Sequence, residues 1–477
     1  MKSSSDQRVL VVDLDGTLIK TDSLVESALD ALHRNFGVFW QIPGWLVSGK
    51  AALKQELAAR ASLDFGKLPY NQHVLGVIHQ ARDEGRLVVL ASACDQSIAL
   101  GVAAYLKLFD DVIASDGVIN ISGRNKRDEL LRRYGKLGFD YIGNSRDDLA
   151  IWDVANQAIL VDVPESTARK ARLNGNVLLE LVSSSSSIRS FLKALRPHQW
   201  AKNTLILVPL FAAHAFSFSS LFSALVAMLC FCMMASGTYL VNDLLDIQDD
   251  RQHDSKRHRP FAAATLSPLT GCWSALFLVI SSLATAYLTL PHMFLIVLLV
   301  YLMLTLAYSL LLKSIMAMDV IALTVLYTLR IIAGALALSL EPTFWILTFS
   351  LFVFLSLALV KRFAELNDAR QKGKTEKSAG RGYYPSDLEI ISQMGSASGY
   401  MSILFFALYI QDQMTAALYS EPRALWLVCP ILMYWITRLW LITHRGEMHD
   451  DPVVFAIKDK VSLFTLAMVG VIFLIAL

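Results

Sequence analysis

Two groups of carboxylates have the spacing that a chemical site needs. The first group is Asp13 and Asp15, which directly follow the apolar run Val9–Val12. A carboxylate at the end of a buried strand can act as a nucleophile toward phosphate, and a second one two residues on can donate and accept protons. Because Gly16 permits a tight turn, the pattern predicts a site for phosphate chemistry at the end of the first strand.

The second group lies in the segment 242–250, whose sequence is NDLLDIQDD. On one continuous helix, Asp243, Asp246 and Asp250 would share a face, with Asn242 beside them. Charged residues at the end of a membrane helix are costly unless they are paired or bound to a cation. Converging carboxylates suit Mg²⁺, which prefers oxygen ligands and often bridges to substrate phosphates. A solvated acidic loop is the other interpretation.

Strands and helices alternate in the N-terminal part. Short apolar runs lie at 9–12, 87–91, 141–142 and 159–163, with longer helical stretches between them. This alternation predicts a parallel α/β (Rossmann-like) sheet, with ligands bound past the carboxyl ends of its strands. Residues 20–80 interrupt the alternation and are predicted to form a helical cap over the site.

The C-terminal part is far more apolar. The chain as a whole has 55% hydrophobic and 18% charged residues and a net charge of +2, which excludes a disordered chain, a disulfide scaffold and a strongly basic nucleic-acid binder. The five cysteines lack metal-site spacing and are predicted to be reduced. Nine apolar runs are predicted to be membrane spans, and most of them approach the length that a span needs, the first being the weakest. They are 203–214, 221–240, 268–288, 293–312, 316–338, 344–360, 401–417, 424–442 and 463–477.

These features predict a soluble domain over 1–182, a Ser-rich linker over 183–190 and an all-α domain of nine transmembrane helices over 191–477. Fifteen Lys and Arg residues lie in the loops after the second, fourth, sixth and eighth runs, and one lies in the other loops. The positive-inside rule then predicts that the soluble domain and the basic loops face the cytoplasm and that the C-terminus lies outside. The membrane expected is the inner (cytoplasmic) membrane.

The segment 13–17, DLDGT, resembles the first motif of the haloacid dehalogenase (HAD) superfamily of phosphatases. The resemblance covers about residues 8–180. It implies that Asp13 is the nucleophile and Asp15 the general acid/base. It also implies that Ser92 binds phosphate and that Lys126, with Lys136 as the second choice, neutralises the phosphoryl group.

The fourth HAD motif is matched by residues 143–148, GNSRDD, with one departure. The family usually has Asp where this chain has Asn144, and an amide oxygen is a weaker Mg²⁺ ligand than a carboxylate. The metal ligands implied are Asp13, Asp15, Asn144 and Asp148, with Asp147 as an alternative to Asp148. Because of Asn144, an inactive regulatory domain is an alternative to a phosphatase.

The segment 242–250 resembles the first acidic motif of the UbiA superfamily of intramembrane prenyltransferases, which has nine transmembrane helices. The resemblance covers about residues 190–477. It implies that Asp243, Asp246 and Asp250 are catalytic residues that hold Mg²⁺ and a substrate diphosphate, and that Asn242 orients a carboxylate or a donor oxygen.

The place of the second UbiA motif, 361–368, reads KRFAELND and has a basic pair with only Glu365 and Asp368 as acids. Together with 195–203, 254–260 and 308–313, it resembles the branch that transfers 5-phosphoribose from phosphoribosyl diphosphate to polyprenyl phosphate. Cations would balance these anionic substrates, although juxtamembrane cations are also topology signals and headgroup contacts. The substrate-binding candidates in this domain are Lys202, Asn242, Lys256, Arg257, Arg259, Lys361, Arg362 and Glu365.

The chain is expected to be a Mg²⁺-dependent UbiA-family transferase whose substrates are a polyprenyl phosphate and a phosphorylated small molecule. No nucleic-acid partner is expected. The HAD-like domain would remove the 5-phosphate from the product or clear a related phosphate. The alternative is a UbiA prenyltransferase that uses a prenyl diphosphate donor and an aromatic or other acceptor, with an inactive, regulatory HAD-like domain. Asp319 and Arg330 are further candidate functional residues because both are charged inside a predicted span. Asp319 lies near the cytoplasmic end of that span and is expected to be exposed to water.

Overall fold

The computed structural model describes residues 8–173, 176–182, 188–253, 256–373, 381–448 and 451–477. The chain divides into a first unit, residues 1–194 with 240–273, and a second unit, residues 195–239 with 274–477. The composition change near residue 190 predicts a single boundary there, whereas the structure groups 240–273 with the N-terminal residues. The serines 183–187 of the predicted linker lie outside the described residues.

The first unit contains a six-stranded parallel sheet with the strand order β3-β2-β1-β4-β5-β6. Its strands are β1 Val9–Val12, β2 Val88–Asp95, β3 Asp111–Ser115, β4 Phe139–Gly143, β5 Ala158–Val161 and β6 Val177–Leu181. The chain order reverses between β1 and β4, and ligands bind at such a switch point in open α/β sheets. The predicted parallel sheet is confirmed, and the four apolar runs correspond to β1, β2, β4 and β5.

An apolar core covers each face of the sheet, since alternate side chains of its central strand point to opposite faces and both sets are apolar. Leu10 and Val12 of β1 pack into one apolar core, and Val9 and Val11 pack into the other. The helices up to residue 195 are α1 Ser23–Arg34, α2 Ile42–Val47, α3 Lys50–Arg60, α4 Gln72–Asp83, α5 Gln96–Leu106, α6 Arg124–Tyr134, α7 Leu149–Trp152, α8 Glu165–Arg172 and α9 Ile188–Leu195. Helices α1 to α4 lie between β1 and β2 in the chain.

The helices that follow are α10 Val208–Ala212, α11 Phe218–Leu245, α12 Ile247–Gln252, α13 Pro268–Thr289, α14 His292–Leu310, α15 Met318–Ala337, α16 Phe344–Gln371, α17 Leu388–Gln411, α18 Gln413–Ala416, α19 Val428–His444, α20 Pro452–Lys458 and α21 Lys460–Ala476. Short 3₁₀ helices occur at Phe36–Trp40, Phe65–Lys67, Arg146–Asp148, Pro197–Leu207, Lys256–His258, Leu312–Ser314, Pro385–Asp387 and Pro422–Leu427.

Six helices of the described chain are long and apolar enough to cross a membrane, or seven if the bent pair α20–α21 is one span. The predicted count of nine is therefore not confirmed. The first predicted span, near 203–214, is a 3₁₀ helix followed by the five-residue α10. Helix α17 has 24 residues but does not belong to the six. The orientation of the spans stays a prediction.

Helix α15 is the central helix of the second unit, since 72% of its apolar window is buried against 17% for α14. It packs with α16 in one core cluster and with α14 in another. The backbone of α15 passes close to the backbone of Ile206 at Gly334. A Cβ at this position would lie 2.1 Å from the carbonyl oxygen of Ile206, so only glycine fits. Small residues allow such packing in membrane proteins.

Candidate active sites in the two units

The sheet-end site of the first unit is built on Asp13, directly after β1. Lys126, near the start of α6, places its Nζ 2.7 Å from Asp13 Oδ1 and 3.1 Å from the hydroxyl of Tyr141. The Tyr141 hydroxyl in turn donates to Asp148 Oδ1 at 2.8 Å. The structure thus brings Asp13, Lys126 and Asp148 together, while Lys136 is exposed. Tyr141 was missed because its position in the sequence indicates only a strand residue.

The GNSRDD turn holds the other side of this site. Asp148 Oδ2 accepts hydrogen bonds from the backbone N–H groups of Asn144 and Ser145, at 3.1 and 2.9 Å. The Asn144 side chain lies against Gly16, where the backbone has a φ of +69° and a Cβ would be 1.9 Å from Asn144 Nδ2. Glycine is therefore required at this turn, and Asn144 lies beside the DLDGT segment.

Burial shifts the pKa values of both catalytic candidates upward. The pKa of Asp13 is raised to about 6 by burial, which the Lys126 ammonium partly offsets. The pKa of Asp15 is raised to about 7 by burial, with Asp22 and Asp13 adding to the effect and hydrogen bonds from Ser23 opposing it. A carboxyl group with a pKa near the working pH can both donate and accept a proton.

A cavity of about 680 Å³ opens over Asp13, Asp15 and Lys126. Its walls include Leu46, Lys50, Leu53 and Lys54 from the helices between β1 and β2, Asn120, and Ser267, Pro268 and Leu269. Lys54 Nζ donates to the carbonyl of Ala93 at 2.6 Å and to Asn120 Oδ1 at 3.0 Å. Burial lowers the pKa of Lys54, and Asp15 partly offsets this. No sequence signal distinguishes Lys54 from the other lysines.

Ser92 lies in β2 and is fully buried. Its hydroxyl accepts a hydrogen bond from the backbone N–H of Cys94 at 3.1 Å. It does not belong to the residues that line the cavity, whereas the next three residues of β2 do. The phosphate-binding role of Ser92 stays a prediction.

The acidic segment 242–250 is divided between two helices, because α11 ends at Leu245 and Asp246 precedes α12. Asp243 and Asp250 are both buried, and both face Arg259, whose Nη1 lies 3.1 Å from Asp243 Oδ1 and 2.8 Å from Asp250 Oδ2. Burial raises the pKa of Asp250, and Arg259 partly offsets this. Two of the three predicted carboxylates therefore converge on one cation.

Asp246 has different partners. Asn242 donates to its Oδ2 at 3.0 Å. The imidazole of His33 lies 3.7 Å from Asp246 and 3.8 Å from Asp249. The expectation of one continuous helix differs from the structure, because α11 ends at Leu245 and α12 begins at Ile247, with Asp246 between them. Lys256 and Arg257 are exposed.

A buried ion pair joins α12 to α1 within the first unit. Arg251 donates to both carboxylate oxygens of Glu26, at 2.6 and 3.0 Å, and Gln248 donates to the same carboxylate at 2.9 Å. Arg251 also donates to the carbonyl of Ala262 at 3.1 Å. Because two segments more than 220 residues apart form this pair, sequence spacing gave no signal of it.

In the second unit, Asp451 pairs with two of the predicted substrate-binding lysines. Its Oδ2 lies 2.7 Å from Lys202 Nζ and 3.4 Å from Lys361 Nζ. Burial acts to raise the pKa of Asp451, but the two lysines outweigh it and hold the pKa at about 2. Sequence reasoning missed Asp451, which precedes Pro452 outside the two acidic motifs.

Arg362 lies in a closed ion-pair cluster. It is 1% exposed, and its Nη2 lies 2.6 Å from Asp319 Oδ2. Asp319 is fully buried and is therefore not exposed to water as expected. It also accepts a hydrogen bond from the Tyr383 hydroxyl at 2.7 Å. Arg362 also pairs with Glu365. These contacts favour a structural role for Arg362 because its charge is already balanced.

Arg330 is a buried cation in the middle of α15. Its Nε donates to Asn203 Oδ1 at 2.9 Å and its Nη2 to the Tyr301 hydroxyl at 3.1 Å. The ring of Tyr327 lies 5.5 Å from the Arg330 guanidinium and 5.6 Å from Lys202 Nζ. Within the described part of the chain, Arg330 forms no ion pair with a carboxylate, so its charge is balanced only by dipoles and rings.

Several apolar helices together with this buried charge define an integral membrane protein that crosses the bilayer several times. Residues 204–473 match the UbiA prenyltransferase family. The chain therefore belongs to the UbiA family and is a transferase of the prenyltransferase type.

Three relatives show how far the similarity extends. The chain is 39% identical to the uncharacterized protein y4nM of Sinorhizobium fredii, over 98% of this chain and 91% of that protein. It is 35% identical to the nodulation protein NoeC of Azorhizobium caulinodans, over 57% of this chain and 89% of that one. It is 28% identical to the decaprenyl-phosphate phosphoribosyltransferase of Mycobacterium tuberculosis, over 60% of this chain and 93% of that enzyme.

Proposed function

We propose that this chain transfers 5-phosphoribose from phosphoribosyl diphosphate to a polyprenyl phosphate. The observation that carries the proposal is a surplus of positive charge in the second unit. Within the described residues, the buried Lys202 and Arg330 and the partly exposed Lys361 have a single carboxylate ion-pair partner, Asp451, which pairs with the two lysines. A prenyl diphosphate with an aromatic acceptor would bring one diphosphate to such a site, whereas phosphoribosyl diphosphate and a lipid phosphate bring a diphosphate and two further phosphate groups. The name of the Mycobacterium tuberculosis relative supports the same substrates.

The aspartates of the first unit suit Mg²⁺ by their chemistry. Asp243 and Asp250 supply buried carboxylate oxygens that already converge on one cationic group, the Arg259 guanidinium. Such a hard, all-oxygen donor set fits Mg²⁺, with Asp246 as a further ligand. Bound there, Mg²⁺ would neutralise the diphosphate and so make it a better leaving group.

The residues of the chain then have distinct roles. Arg259 donates hydrogen bonds to the diphosphate, and Lys202 and Lys361 hold phosphate oxygens. An oxygen of the lipid phosphate forms the new bond to C1 of the ribose while the bond from C1 to the diphosphate breaks. Because the lipid phosphate is already ionised, the reaction requires no strong general base.

The test uses purified full-length protein with ribose-labelled phosphoribosyl diphosphate, polyprenyl phosphate and Mg²⁺. We expect a labelled lipid, and we expect Asp243→Asn to lower its rate of formation by about 100-fold, as loss of an electrostatic contact in an active site does. Glu165→Gln, at an exposed carboxylate of α8, is the matched control and should leave the rate unchanged. The proposal fails if no labelled lipid forms while a prenyl diphosphate is consumed with an aromatic acceptor.

A second activity is favoured by the hydrogen-bonded series Asp13–Lys126–Tyr141–Asp148 beneath the cavity. We propose that the first unit is a HAD-like phosphatase that removes the 5-phosphate from the lipid-linked product. Asp13 attacks the phosphorus, the ester oxygen leaves with a proton from Asp15, and water then hydrolyses the phosphoaspartate. Lys126 balances the charge of the phosphoryl group.

The carboxylates of Asp13 and Asp148 and the amide oxygen of Asn144 form an oxygen donor set that fits Mg²⁺. A phosphatase assay on the full chain with a phosphate monoester tests this activity. We expect turnover that Asp13→Asn abolishes. If the two rates are equal, the domain is inactive and the regulatory alternative stands.

A further inference from the structure

The segment 36–47, FGVFWQIPGWLV, is an apolar and largely exposed part of the first unit. Residues 35–49 contain no Asp, Glu, Lys or Arg, and basic residues flank them, with Arg34 before and Lys50 after. Five large apolar side chains of the segment are exposed: Phe36 (52%), Phe39 (48%), Trp40 (77%), Leu46 (55%) and Val47 (90%). We call these five side chains the cap patch.

The inner face of the same segment is well packed. Val38 is buried with Ala31 of α1 and Leu57 of α3, and Ile42 and Trp45 pack against the same cluster. The exposed side chains also contact one another, since the rings of Phe36 and Phe39 stack at 5.8 Å and Phe39 meets Trp40 edge-on at 5.3 Å. The segment is therefore amphipathic and ordered, and the exposure of the cap patch is a property of the fold.

The position of the segment indicates what covers this patch. Leu46 and the neighbouring Leu53 line the same cavity as Pro268 and Leu269. Pro268 is the first residue of α13, which is long and apolar enough to cross a membrane. One side chain of the cap patch, Leu46, therefore lines the same cavity as the first residues of a candidate membrane span. Aromatic and apolar side chains are enriched at the level of the lipid headgroups.

We propose that the cap patch inserts into the surface of the bilayer that holds the transmembrane helices. Phe36, Phe39, Trp40 and Val47 reach the boundary between headgroups and acyl chains, while Lys50 lies among the headgroups. The partner is therefore a lipid surface. If the proposed phosphatase activity is also correct, this contact holds the mouth of its cavity where a lipid-linked phosphate would enter.

The test places a polarity-sensitive fluorophore on the full-length protein in nanodiscs of phosphatidylcholine and phosphatidylglycerol. Cysteines for labelling are introduced by Trp40→Cys and, separately, by Val47→Cys, in a background with Cys272→Ser and Cys429→Ser, because the other three cysteines are buried. The control is Arg132→Cys, at a side chain of α6 that is 71% exposed. Val47, at 90% exposure, accepts a label with little risk to folding.

We expect both cap labels to be quenched by spin-labelled acyl chains and to be protected severalfold from iodide in the water. The control label should show the reverse pattern. The proposal is overturned if iodide quenches the cap labels as strongly as the control. It is also overturned if protection appears only when two chains share one nanodisc, because the partner would then be a second copy of the chain.

Discussion

Arg259 and Arg362 show how one residue type can take two roles. Both are arginines near an acidic group, and sequence alone gave both the role of binding substrate. The side chain of Arg259 is 25% exposed and faces two aspartates, whereas that of Arg362 is 1% exposed and is enclosed by Asp319 and Glu365. Access to solvent, which depends on tertiary packing, therefore separates a candidate substrate contact from a structural ion pair.

We accordingly predict different effects of the two matched substitutions. Arg362→Gln should destabilise the protein by about 3 kcal/mol, because it leaves the carboxylate of Asp319 buried without its partner. Arg259→Gln should lower transfer strongly and, in buffer with Mg²⁺ to balance Asp243 and Asp250, should change stability by less than half as much, because the Arg259 side chain is partly exposed. Thermal unfolding in detergent, together with the transfer assay, checks both results, and equal loss of stability would contradict the distinction.

Asp15 should make stability depend on pH. Burial raises its pKa to about 7 in the folded protein from an ordinary value of 3.8, so the folded state binds its proton more tightly than the unfolded state does. The stability that this proton gives is complete below about pH 4 and is lost as the pH rises through about 7.

Asp15→Asn should therefore stabilise the protein at pH 8, by on the order of 1 kcal/mol because Asp15 keeps some contact with solvent, and should change little at pH 4. Thermal unfolding at both pH values in EDTA measures this. The burial argument fails if the variant has the same gain at both values, or none at pH 8.

At the scale of elements, α12 depends on a helix far away in the chain. Arg251 follows Asp250 directly and is fixed by two hydrogen bonds to Glu26 of α1. The start of α1 also donates two hydrogen bonds to Asp15, from the backbone N–H and the hydroxyl of Ser23. The two candidate sites therefore share α1 as a common support.

We predict that Glu26→Gln lowers transfer and raises the Mg²⁺ concentration needed for half-maximal transfer, because α12 and Asp250 lose their anchor. The double variant Glu26→Arg with Arg251→Glu should recover part of the loss, since it restores an ion pair. Glu129→Gln, which breaks an exposed pair with Arg132, serves as the control. An unchanged Mg²⁺ requirement in Glu26→Gln would show that Glu26 has no positioning role.

The elements that sequence predicted well are those whose signal is local. Strands β1, β2, β4 and β5 follow from short apolar runs, because a strand buried on both faces has no polar alternation. Strand β3 begins with an exposed Asp111 and β6 is mostly exposed, so neither resembles a buried run. The break at Asp246 was not predicted, because helical spacing assumes a continuous helix.

At the scale of the whole molecule, composition separated a charged N-terminal part from an apolar C-terminal part, and it correctly indicated a membrane protein. It could not assign 240–273 to the first unit, because that assignment depends on contacts such as Glu26–Arg251 between distant segments. For the same reason Asp451, the partner of Lys202 and Lys361, was not recognised. The residues of the motifs could be predicted from the sequence, whereas their ion-pair partners could be identified only from the folded structure.

The most direct measurement uses phosphoribosyl diphosphate that carries ¹⁴C in the ribose and ³²P in the 5-phosphate, with polyprenyl phosphate and the full-length protein. With the unaltered protein, we predict that ¹⁴C enters the lipid and that ³²P in the lipid declines with time. With Asp13→Asn, the lipid should keep both labels, and with Asp243→Asn it should acquire neither. A lipid fraction without ¹⁴C in the unaltered protein would contradict the transfer of phosphoribose.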